Sequence, residues 1–555
     1  MNTHKTAIVI GGGLAGLACA VELANRGLYV TIVERNAHLG GKMNVLTASP
    51  TSGPLSGSSF TFDMGPTIIT MPEVLLGIFA RCNRVPSDYI NLVNLDPQWR
   101  CLFEDGTRID LARDASTMAA SLDLLFPASK PGAGFEKFLA FSRRMYSLSE
   151  KVFFYKDVGS AIDMMRSSPM NDPRLVKDVI GMRMHSTMGA TAHSMIKEPH
   201  VRQMVEHFLQ YVGSSPFLAP AILSLIASAQ LDHGCWYPMG GTRNVARSLE
   251  RLARELGVHF RTSTSVDRIL LENKRAIGVQ VSPSNQRGSS PETLRADIVV
   301  SNCDVQRTLR DLIPAPVASP RAAKIAHHYK PACSGVVLYL GLSRQYEHLA
   351  HHDFLFSHDS DREFNDIYIR GIPTEDPTLY LAVPSRTDSS QAPPGCESLY
   401  ILVHTPYLRP GHDWLLPDGS PGPTLNRYRT VILEKLKRFG MPDIESHIQV
   451  ERFLTPTNID KMYNAEGGAI YGLASHGRLM GGFKPRNRSL VLDNLYLVGG
   501  SVNPGPGVPM VLMSGVTGAN AALEDLGIDP ESPIPAKPLP RVETKPWTRE
   551  HAMAN

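Results

Sequence analysis

Three glycines near the start of the chain have the spacing of a phosphate-binding turn. Gly11, Gly13 and Gly16 form GxGxxG directly after the β-branched run at 6–10 and directly before a segment with helical apolar periodicity. The first glycine permits a tight turn, the second lets backbone approach a pyrophosphate, and the third lets helix pack on strand. The N–H groups and dipole at the helix start favour an anion there. The pattern predicts a dinucleotide-binding βαβ unit.

A carboxylate follows the second strand of this unit. Glu34 comes about 18 residues beyond Gly16, at the end of YVTIVE, where a ribose-binding acid is expected. Its carboxylate is placed to accept both ribose hydroxyls and to repel a 2′-phosphate. The motif suits NAD and FAD equally, and a glycine turn without a nucleotide is the structural alternative. These residues alone therefore leave the nucleotide open.

Composition excludes several classes of protein. The chain has 555 residues, 43% hydrophobic and 20% charged, which predicts a globular protein with more than one domain. A net charge of +3 gives no reason to expect a nucleic-acid partner. Seven scattered cysteines without a CxxC pair and the lack of a signal-peptide pattern predict a cytoplasmic protein. No segment approaches the roughly 18 apolar residues of a spanning helix, so any membrane contact is expected at the surface.

The motifs fall on elements of an α/β protein. Strands alternate with helices at both ends of the chain, whereas 112–235 is largely helical and 331–405 is rich in strands. We predict an FAD-binding domain of Rossmann type in three parts, joined to a substrate domain with a mixed sheet and helices. The limits are 5–111, 236–310 and 466–528 for the nucleotide domain, 112–235 for a helical substrate or membrane-facing region, 311–465 for the substrate sheet, and 529–555 for a disordered tail.

Four separated motifs resemble, in family order, those of the carotenoid and retinoid oxidoreductases. The opening GGGLAGLACAVELANRG…LGGK…FDMGPT and the closing NLYLVGGSVNPGPGVPMVLMSG are similar to the two ends of phytoene and hydroxycarotenoid desaturases, which share an amine-oxidase-like and GDI-like scaffold. CWYPMGGTRN and ADIVVSNCD resemble the family's central segments. The resemblance implies FAD, held by Gly11, Gly13, Leu14, Ala15, Gly16, Glu34, Arg35, Gly41, Lys42, Gly65, Pro66, Thr67, Val266, Gly499, Val508, Pro509 and Met510.

The resemblance also implies a reaction and its partners. It points to a desaturase that introduces double bonds into a long apolar carotenoid by hydride transfer to flavin N5, with a quinone or oxygen as electron acceptor. No catalytic side chain is assigned. Because the substrate dissolves in bilayers, we expect peripheral contact with membrane lipid at the inner face, through interfacial helices in 145–165 and 208–226. An ordinary buried helix is the alternative for either segment.

Other reactions remain open on the same scaffold. Within the enzyme class these are a carotenoid oxygenase, saturase or isomerase, or an amine or protoporphyrinogen oxidase. Outside it, the prenyl-binding Rab escort and dissociation-inhibitor proteins share the scaffold without redox activity. Two departures from the phytoene desaturase pattern leave the identity of the polyene substrate open. Residues 208–226 are closer to the hydroxycarotenoid type, and residues 484–488 are Lys-Pro-Arg-Asn-Arg where the phytoene type has Arg-Pro-His-Asn-Arg.

Several polar residues are interpreted as structural. Asp232, His233 and Arg486 are possible polar helpers, but we expect surface or structural roles for them. The pairs His327-His328 and His351-His352 are interpreted as surface or loop residues, because adjacent histidines lack the spacing of a usual metal site. The sequence therefore predicts no metal.

Overall fold

A computed structural model of the protein describes residues 4–160, 162–163, 183, 185–284, 290–315, 317, 328–477 and 481–530. It confirms the predicted α/β class with a Rossmann-type unit. The strands fall into a five-stranded sheet, a seven-stranded sheet, a three-stranded sheet and two two-stranded sheets. The tail expected to be disordered lies, from residue 531 on, outside the described residues.

The described residues contain nineteen strands, which are numbered in chain order. They are β1 (Thr6–Ile10), β2 (Tyr29–Val33), β3 (Val45–Ala48), β4 (Phe60–Asp63), β5 (Leu92–Asn94), β6 (Trp99–Leu102), β7 (Arg108–Leu111), β8 (Trp236–Pro238), β9 (His259–Arg261), β10 (Thr264–Glu272), β11 (Arg275–Pro283), β12 (Glu292–Arg295), β13 (Ile298–Ser301), β14 (Ser334–Leu342), β15 (His352–Leu355), β16 (Leu379–Ala382), β17 (Glu397–Thr405), β18 (Ile448–Leu454) and β19 (Leu495–Leu497).

The α-helices are numbered in the same way. They are α1 (Leu14–Asn25), α2 (Pro72–Arg81), α3 (Ala115–Leu125), α4 (Gly132–Val152), α5 (Met188–Met195), α6 (Pro199–Glu206), α7 (Leu225–Leu231), α8 (Arg243–Glu255), α9 (Val305–Arg307), α10 (Ser360–Asn365), α11 (Pro423–Arg438), α12 (Ile444–His447), α13 (Pro456–Tyr463) and α14 (Val508–Asp525). No helix in the described part of the chain combines the length and apolar character needed to cross a bilayer.

The five-stranded sheet is parallel and gathers strands from distant parts of the chain. Its order is β19-β13-β1-β2-β9, with all neighbours parallel. β1 and β13 are continuous apolar runs because both faces of a parallel sheet are covered. Helices α1, α8 and α14 share one apolar core with β1, β2 and β13. The carboxyl ends of β1, β13 and β19 consequently meet at one edge, where ligands bind in open α/β sheets.

The seven-stranded sheet separates two apolar cores. Its order is β18-β14-β17-β16-β15-β6-β7. Along β14, Val336 and Leu338 face the core beneath α11, whereas Val337 and Tyr339 face the core that α3, α4 and α6 cover. This alternation follows from the two-residue period of a strand. The sheet is antiparallel except between β15 and β6.

Two predicted segments occupy different positions from those expected. Residues 99–111, which the proposed limits grouped with the nucleotide domain, form the hairpin β6–β7 and join the seven-stranded sheet. The prediction of an interfacial helix in 208–226 is wrong. That segment contains two short 3-10 helices and the start of α7, and Phe208 and Leu209 are fully buried, because the same apolar composition serves a core equally well. In 145–165, α4 ends at Val152, and residues 161, 164 and 165 lie outside the described set.

Candidate FAD and substrate site

One cavity of about 570 Å³ lies where the edge of the parallel sheet faces the seven-stranded sheet. Every residue that the sequence predicted to contact the cofactor lines this cavity, except Gly16. The lining residues among them are Gly11, Gly13, Leu14, Ala15, Glu34, Arg35, Gly41, Lys42, Gly65, Pro66, Thr67, Val266, Gly499, Val508, Pro509 and Met510. The two ends of the chain are thus brought to the same space.

The first glycine turn depends on residues without a side chain. Gly11 has φ +93°, and a Cβ on Gly13 would lie 2.8 Å from Nδ2 of Asn302. Gly16 lies behind the cavity, where a Cβ would come 2.2 Å from the carbonyl oxygen of Gly11. Its absence from the lining agrees with the helix-packing role that the motif assigns to the third glycine.

Helix α1 presents its N-terminus to this cavity. Leu14 and Ala15 begin the helix and line the cavity. The helix has no side-chain cap hydrogen bond at Gly13 and no acidic residue in its first turn. Its N–H groups and dipole are therefore available to an anionic diphosphate.

Glu34 lies beside that turn and is only 5% exposed. Its Oε2 accepts a hydrogen bond from the Gly12 N–H at 2.8 Å, and its Oε1 accepts one from the Asn36 N–H at 2.8 Å. These two bonds fix the carboxylate at the cavity wall. Since each carboxylate oxygen has two lone pairs, both oxygens keep capacity to accept from a ribose.

The closing turn delivers a second helix N-terminus to the same space. Gly499 and Gly507 have φ of +114° and +108°, a region that L side chains rarely adopt. Helix α14 begins at Val508, with Pro509 in its first turn and no acidic residue there. Val508, Pro509 and Met510 line the cavity, so the positive end of the helix dipole lies at its wall.

Asn302 joins the two glycine turns, and sequence reasoning did not select it. It follows β13 directly, its Nδ2 donates to the Gly11 carbonyl at 3.2 Å, and a Cβ on Gly499 would lie 2.8 Å from its Oδ1. The available signal was its position at the carboxyl end of a parallel strand.

Lys42 lies deeper in the cavity wall. Its Nζ donates to the carbonyl oxygens of Ala469 and Ile470, both at 2.9 Å. Burial lowers the pKa of Lys42 to about 8, while the charge of Asp304 opposes this shift. The side chain ties the first nucleotide motif to the segment before the closing strand.

The remaining part of the cavity is largely apolar. Residues from 153–154, the 207–229 segment and the seven-stranded sheet form its wall. They include Phe153, Phe154, His207, Gln210, Tyr211, Val212, Ile222, Leu223, Leu225, Ile226, Ala229, Val337, Phe354, Tyr380, Tyr400, Leu402 and His404. An extended apolar ligand is the kind that such a wall accommodates.

The interpretation of the second histidine pair as surface residues is wrong. His351 is 6% exposed and His352 is 0% exposed, because β15 is an inner strand between β16 and β6. His352 Nδ1 lies 2.8 Å from the hydroxyl of Tyr380. In the first pair, His328 is exposed and His327 lies outside the described residues.

The three possible polar helpers have structural partners. Asp232 pairs with Arg143 at 2.6 Å, His233 with Glu73 at 2.7 Å, and Arg486 with Asp157 at 2.7 Å. None of the three lines the cavity among its described residues. Within the described ranges, no cluster of three or more histidine, cysteine or acidic side chains is arranged to hold a metal ion.

The geometry passes a simple test of fit for FAD. Gly13 brings no side chain of its own to the cavity, two helix N-termini line it, and the buried carboxylate of Glu34 is fixed at its wall. Comparison with protein families agrees, since residues 14–523 match the family described as flavin-containing amine oxidoreductase. The chain belongs to this family. It is an FAD-binding oxidoreductase.

Curated relatives extend along almost the whole chain. A 4,4'-diapolycopene oxygenase from Methylomonas sp is 36% identical over 526 residues, covering 95% of this chain and 99% of the relative. A 4,4'-diaponeurosporene oxygenase from Staphylococcus aureus is 35% identical over 512 residues, covering 92% and 96%. These relatives confirm the resemblance to the carotenoid oxidoreductases.

Solved structures of low sequence identity share the fold. Cyclohexylamine oxidase from Brevibacterium oxydans matches with a TM-score of 0.54 at 14% identity, over 95% of this chain and 100% of that one. Rab GDI from Plasmodium falciparum matches with a TM-score of 0.52 at 10% identity, over 95% and 99%. They confirm the amine-oxidase-like and GDI-like architecture of this family member.

Asp157 connects the segment that follows Phe153 and Phe154 of the cavity wall to residues 486–488. This connection gives a first prediction. Its carboxylate accepts from the Asn487 N–H at 2.6 Å and pairs with Arg486 at 2.7 Å and Arg488 at 3.2 Å. The variant Asp157→Ala leaves two arginines without this partner, so we expect about 2–4 kcal/mol less stability and weaker FAD retention. Thermal unfolding and cofactor content after gel filtration measure both. The control is Asp525→Ala, which removes an exposed partner of Arg488. A loss of stability and FAD content as large as that of Asp157→Ala would contradict the proposed connection.

Asp63 gives a second prediction, about pH. Burial raises its pKa to about 6, although its Oδ1 accepts from the Thr242 N–H at 2.7 Å. Because the folded state favours the protonated acid, this contribution to stability is complete below the unfolded pKa near 3.8 and is lost as the pH rises through about 6. Over this pH window, the free energy of unfolding of Asp63→Asn is expected to rise relative to that of the native protein, by up to about 3 kcal/mol. Urea unfolding from pH 4 to pH 8 measures it, and a pH-independent difference would contradict the assignment.

Proposed function

We propose that this protein is an FAD-dependent oxidase that oxygenates the end group of a long acyclic carotenoid. The observation that carries the proposal is the cavity, in which a nucleotide-type site opens onto an extended apolar wall. The relatives named as oxygenases support the reaction, since they match this chain over at least 92% of its length. Their names also support an acyclic carotenoid as the substrate class.

The cofactor contacts predicted from the sequence are part of this proposal. We infer that Glu34 and Val266 hold the adenosine end, that the start of α1 binds the diphosphate, and that Gly65 and the start of α14 lie along the ring. When bound, FAD supplies a two-electron acceptor for C–H oxidation. The protein contributes position and a dry environment, because the apolar wall excludes water from the reacting carbon.

The chain's own residues support oxidation at one end of a linear molecule. The apolar wall offers Phe153, Phe154 and Phe354 to a polyene, and the polar groups His404 and Tyr380 line the same space. Oxidation of a methyl group to an alcohol removes two electrons and adds the oxygen atom of a water molecule. A second two-electron oxidation of the alcohol gives the aldehyde.

A desaturase, the activity predicted from the sequence, is the second candidate. The segment 208–226, which is closer to the hydroxycarotenoid desaturase type, supplies part of the cavity wall through Gln210, Tyr211 and Ile222. A desaturase removes hydrogen from two adjacent carbons and adds no oxygen. The two reactions therefore differ in the composition of the product.

Pigment analysis distinguishes the two candidates. The chain is expressed in a host that supplies either a saturated acyclic precursor or a fully desaturated acyclic carotenoid, and the products are identified by mass. We expect a product of the second substrate that has gained oxygen at an end group, as alcohol or aldehyde. A product that has only lost hydrogen would favour the desaturase, and unchanged pigments in a flavin-loaded protein would overturn both.

Two further assays test the proposed electron acceptor and the proposed membrane contact. We propose oxygen as the electron acceptor, with a quinone as the alternative. Activity in a quinone-containing membrane preparation, measured with and without air, separates the two. We also propose peripheral contact with membrane lipid for substrate delivery. Flotation of the purified protein with phospholipid vesicles measures this contact, and a protein that stays at the bottom of the gradient would contradict it.

A further inference from the structure

A line of hydrogen bonds leads from the cavity into the seven-stranded sheet. Thr67 and Tyr380 both line the cavity. The Thr67 hydroxyl lies 2.5 Å from the hydroxyl of Tyr380, which in turn lies 2.8 Å from Nδ1 of His352. Each of these groups can accept one proton and donate another. They therefore form a continuous path for a proton over three side chains.

A second imidazole lies next to the end of this path. The ring of His351 lies edge-on to that of His352, with centroids 4.4 Å apart, and Nδ1 of His351 lies 2.6 Å from the hydroxyl of half-buried Thr387. The Nε2 atoms of both histidines are buried without a hydrogen-bond partner among the described residues. Buried polar atoms are normally satisfied, so stability alone does not account for two adjacent imidazoles in the interior of a sheet.

We propose that Thr67, Tyr380 and His352 form a relay that carries away the proton released by substrate oxidation. This inference rests on the proposed function only in that a C–H bond is oxidised. Transfer of a hydride equivalent breaks one C–H bond, and its electron pair goes to the two-electron acceptor. A second bond to hydrogen must then break, either O–H of the water that adds in an oxygenation or C–H of the neighbouring carbon in a desaturation. Its proton passes to the hydroxyl of Tyr380, directly or through Thr67, as the proton of Tyr380 moves to Nδ1 of His352.

The resting protonation states provide one proton donor and one proton acceptor. Burial holds the pKa of Tyr380 well above its ordinary value, so its hydroxyl keeps a proton to donate. Burial, together with neighbouring His351, holds the pKa of His352 well below its ordinary value. The imidazole is consequently neutral, with one ring nitrogen free to accept, and it does not retain a proton that it receives.

The packing role of Tyr380 can be separated from its hydroxyl. Its ring stacks on Phe354 with centroids 4.9 Å apart and approaches Tyr400 edge-on at 6.0 Å. A phenylalanine ring keeps these contacts and loses only the hydroxyl. Tyr380→Phe therefore tests the relay with little change in packing.

The first experiment compares Tyr380→Phe and His352→Gln with the native enzyme. FAD content, thermal unfolding and the rate of polyene oxidation are measured on each purified protein. We expect native FAD content in Tyr380→Phe and a rate about 100-fold lower, because general acid–base groups contribute on this scale. The matched control is Tyr428→Phe, which removes a buried hydroxyl bonded to the Thr374 carbonyl at 2.7 Å in the core on the opposite face of the sheet. It is expected to keep the native rate.

Two further measurements distinguish a relay from a structural role. A relay predicts that the double variant is no slower than the slower single variant, since both residues act in one transfer. It also predicts that a small buffer base such as imidazole raises the rate of Tyr380→Phe and leaves the native rate unchanged. If His352→Gln does not fold, Thr67→Val is compared with Thr67→Ser, which keeps the hydroxyl and is expected to keep most of the activity.

The relay and the proposed function fail in different ways. A native enzyme that carries FAD and oxidises no polyene overturns the proposed function. A native enzyme that oxidises its substrate, with Tyr380→Phe within about twofold of its rate at equal FAD content, overturns the relay alone. Additive losses in the double variant, without rescue by imidazole, also overturn it.

Discussion

Replacement of Gly13 by leucine is expected to give a folded protein without bound FAD. Gly13 has φ −70°, so a leucine backbone is unstrained there and the effect comes from the side chain. Its Cβ would already lie 2.8 Å from Nδ2 of Asn302, and the remaining atoms would occupy the space beside the N-terminus of α1. Because the diphosphate needs close approach of backbone at this position, we expect at least about a 100-fold loss of affinity. Visible absorbance per chain after gel filtration measures it.

The control for this variant is Gly27→Ala, at the other end of α1. Gly27 has φ +83°, and a Cβ added there would meet no atom within 4 Å, so alanine costs backbone strain of about 1 kcal/mol without entering the cavity. We expect Gly27→Ala to be somewhat less stable and fully loaded with FAD. Full loading of Gly13→Leu would contradict the placement of the diphosphate at α1.

Replacement of Glu22 by alanine is expected to produce the largest loss of stability among the variants considered. Glu22 on α1 accepts from Nε of Arg81 on α2 at 2.9 Å, and their side chains are only 5% and 2% exposed. Removal of the carboxylate deletes a buried, charged hydrogen-bond partner of the guanidinium. The expected cost is about 3–5 kcal/mol, measured as the free energy of unfolding in urea.

An exposed ion pair provides the comparison. Glu250 pairs with Arg254 on the outside of α8, where the side chains are 27% and 57% exposed. Glu250→Ala is expected to cost less than about 1 kcal/mol, because solvent screens the pair. Equal losses in Glu22→Ala and Glu250→Ala would show that burial does not determine the strength of the first pair.

Local sequence patterns predicted the parts of the site that depend on backbone. Gly11, Gly13 and Gly16 were identifiable because a tight turn between strand and helix permits few residue types at each position. The closing turn at 504–509 was identifiable for the same reason. In both cases the requirement is fixed by a few neighbouring residues, so it is visible without tertiary contacts.

Side chains that act through distant partners were not predictable in this way. Asn302 matters because β13 lies between β1 and β19, which only the assembled sheet shows. His352 was interpreted as a surface residue because adjacent histidines lack the spacing of a usual metal site, whereas it lies on the inner strand β15 and is bonded to Tyr380. Tyr380 itself carries no local signal that separates it from other strand tyrosines.

The segment 208–226 illustrates a limit of composition. Its mixture of aromatic, aliphatic and polar residues fits a helix at a lipid surface and a buried wall equally well. The deciding information is what packs against it: Phe208 stacks on Trp99 with centroids 4.8 Å apart, and Trp99 belongs to β6, about a hundred residues earlier in the chain. Such a partner cannot be read from the segment itself.

The order of strands in the parallel sheet has a consequence for biosynthesis. β1 is made nearly 300 residues before its neighbour β13, and β19, which covers the far edge of β13, comes only at Leu495–Leu497. Contacts of such long sequence separation form late and slowly. Until β19 has emerged from the ribosome, the nascent chain therefore carries an uncovered apolar sheet edge, the kind of surface that chaperones protect from aggregation.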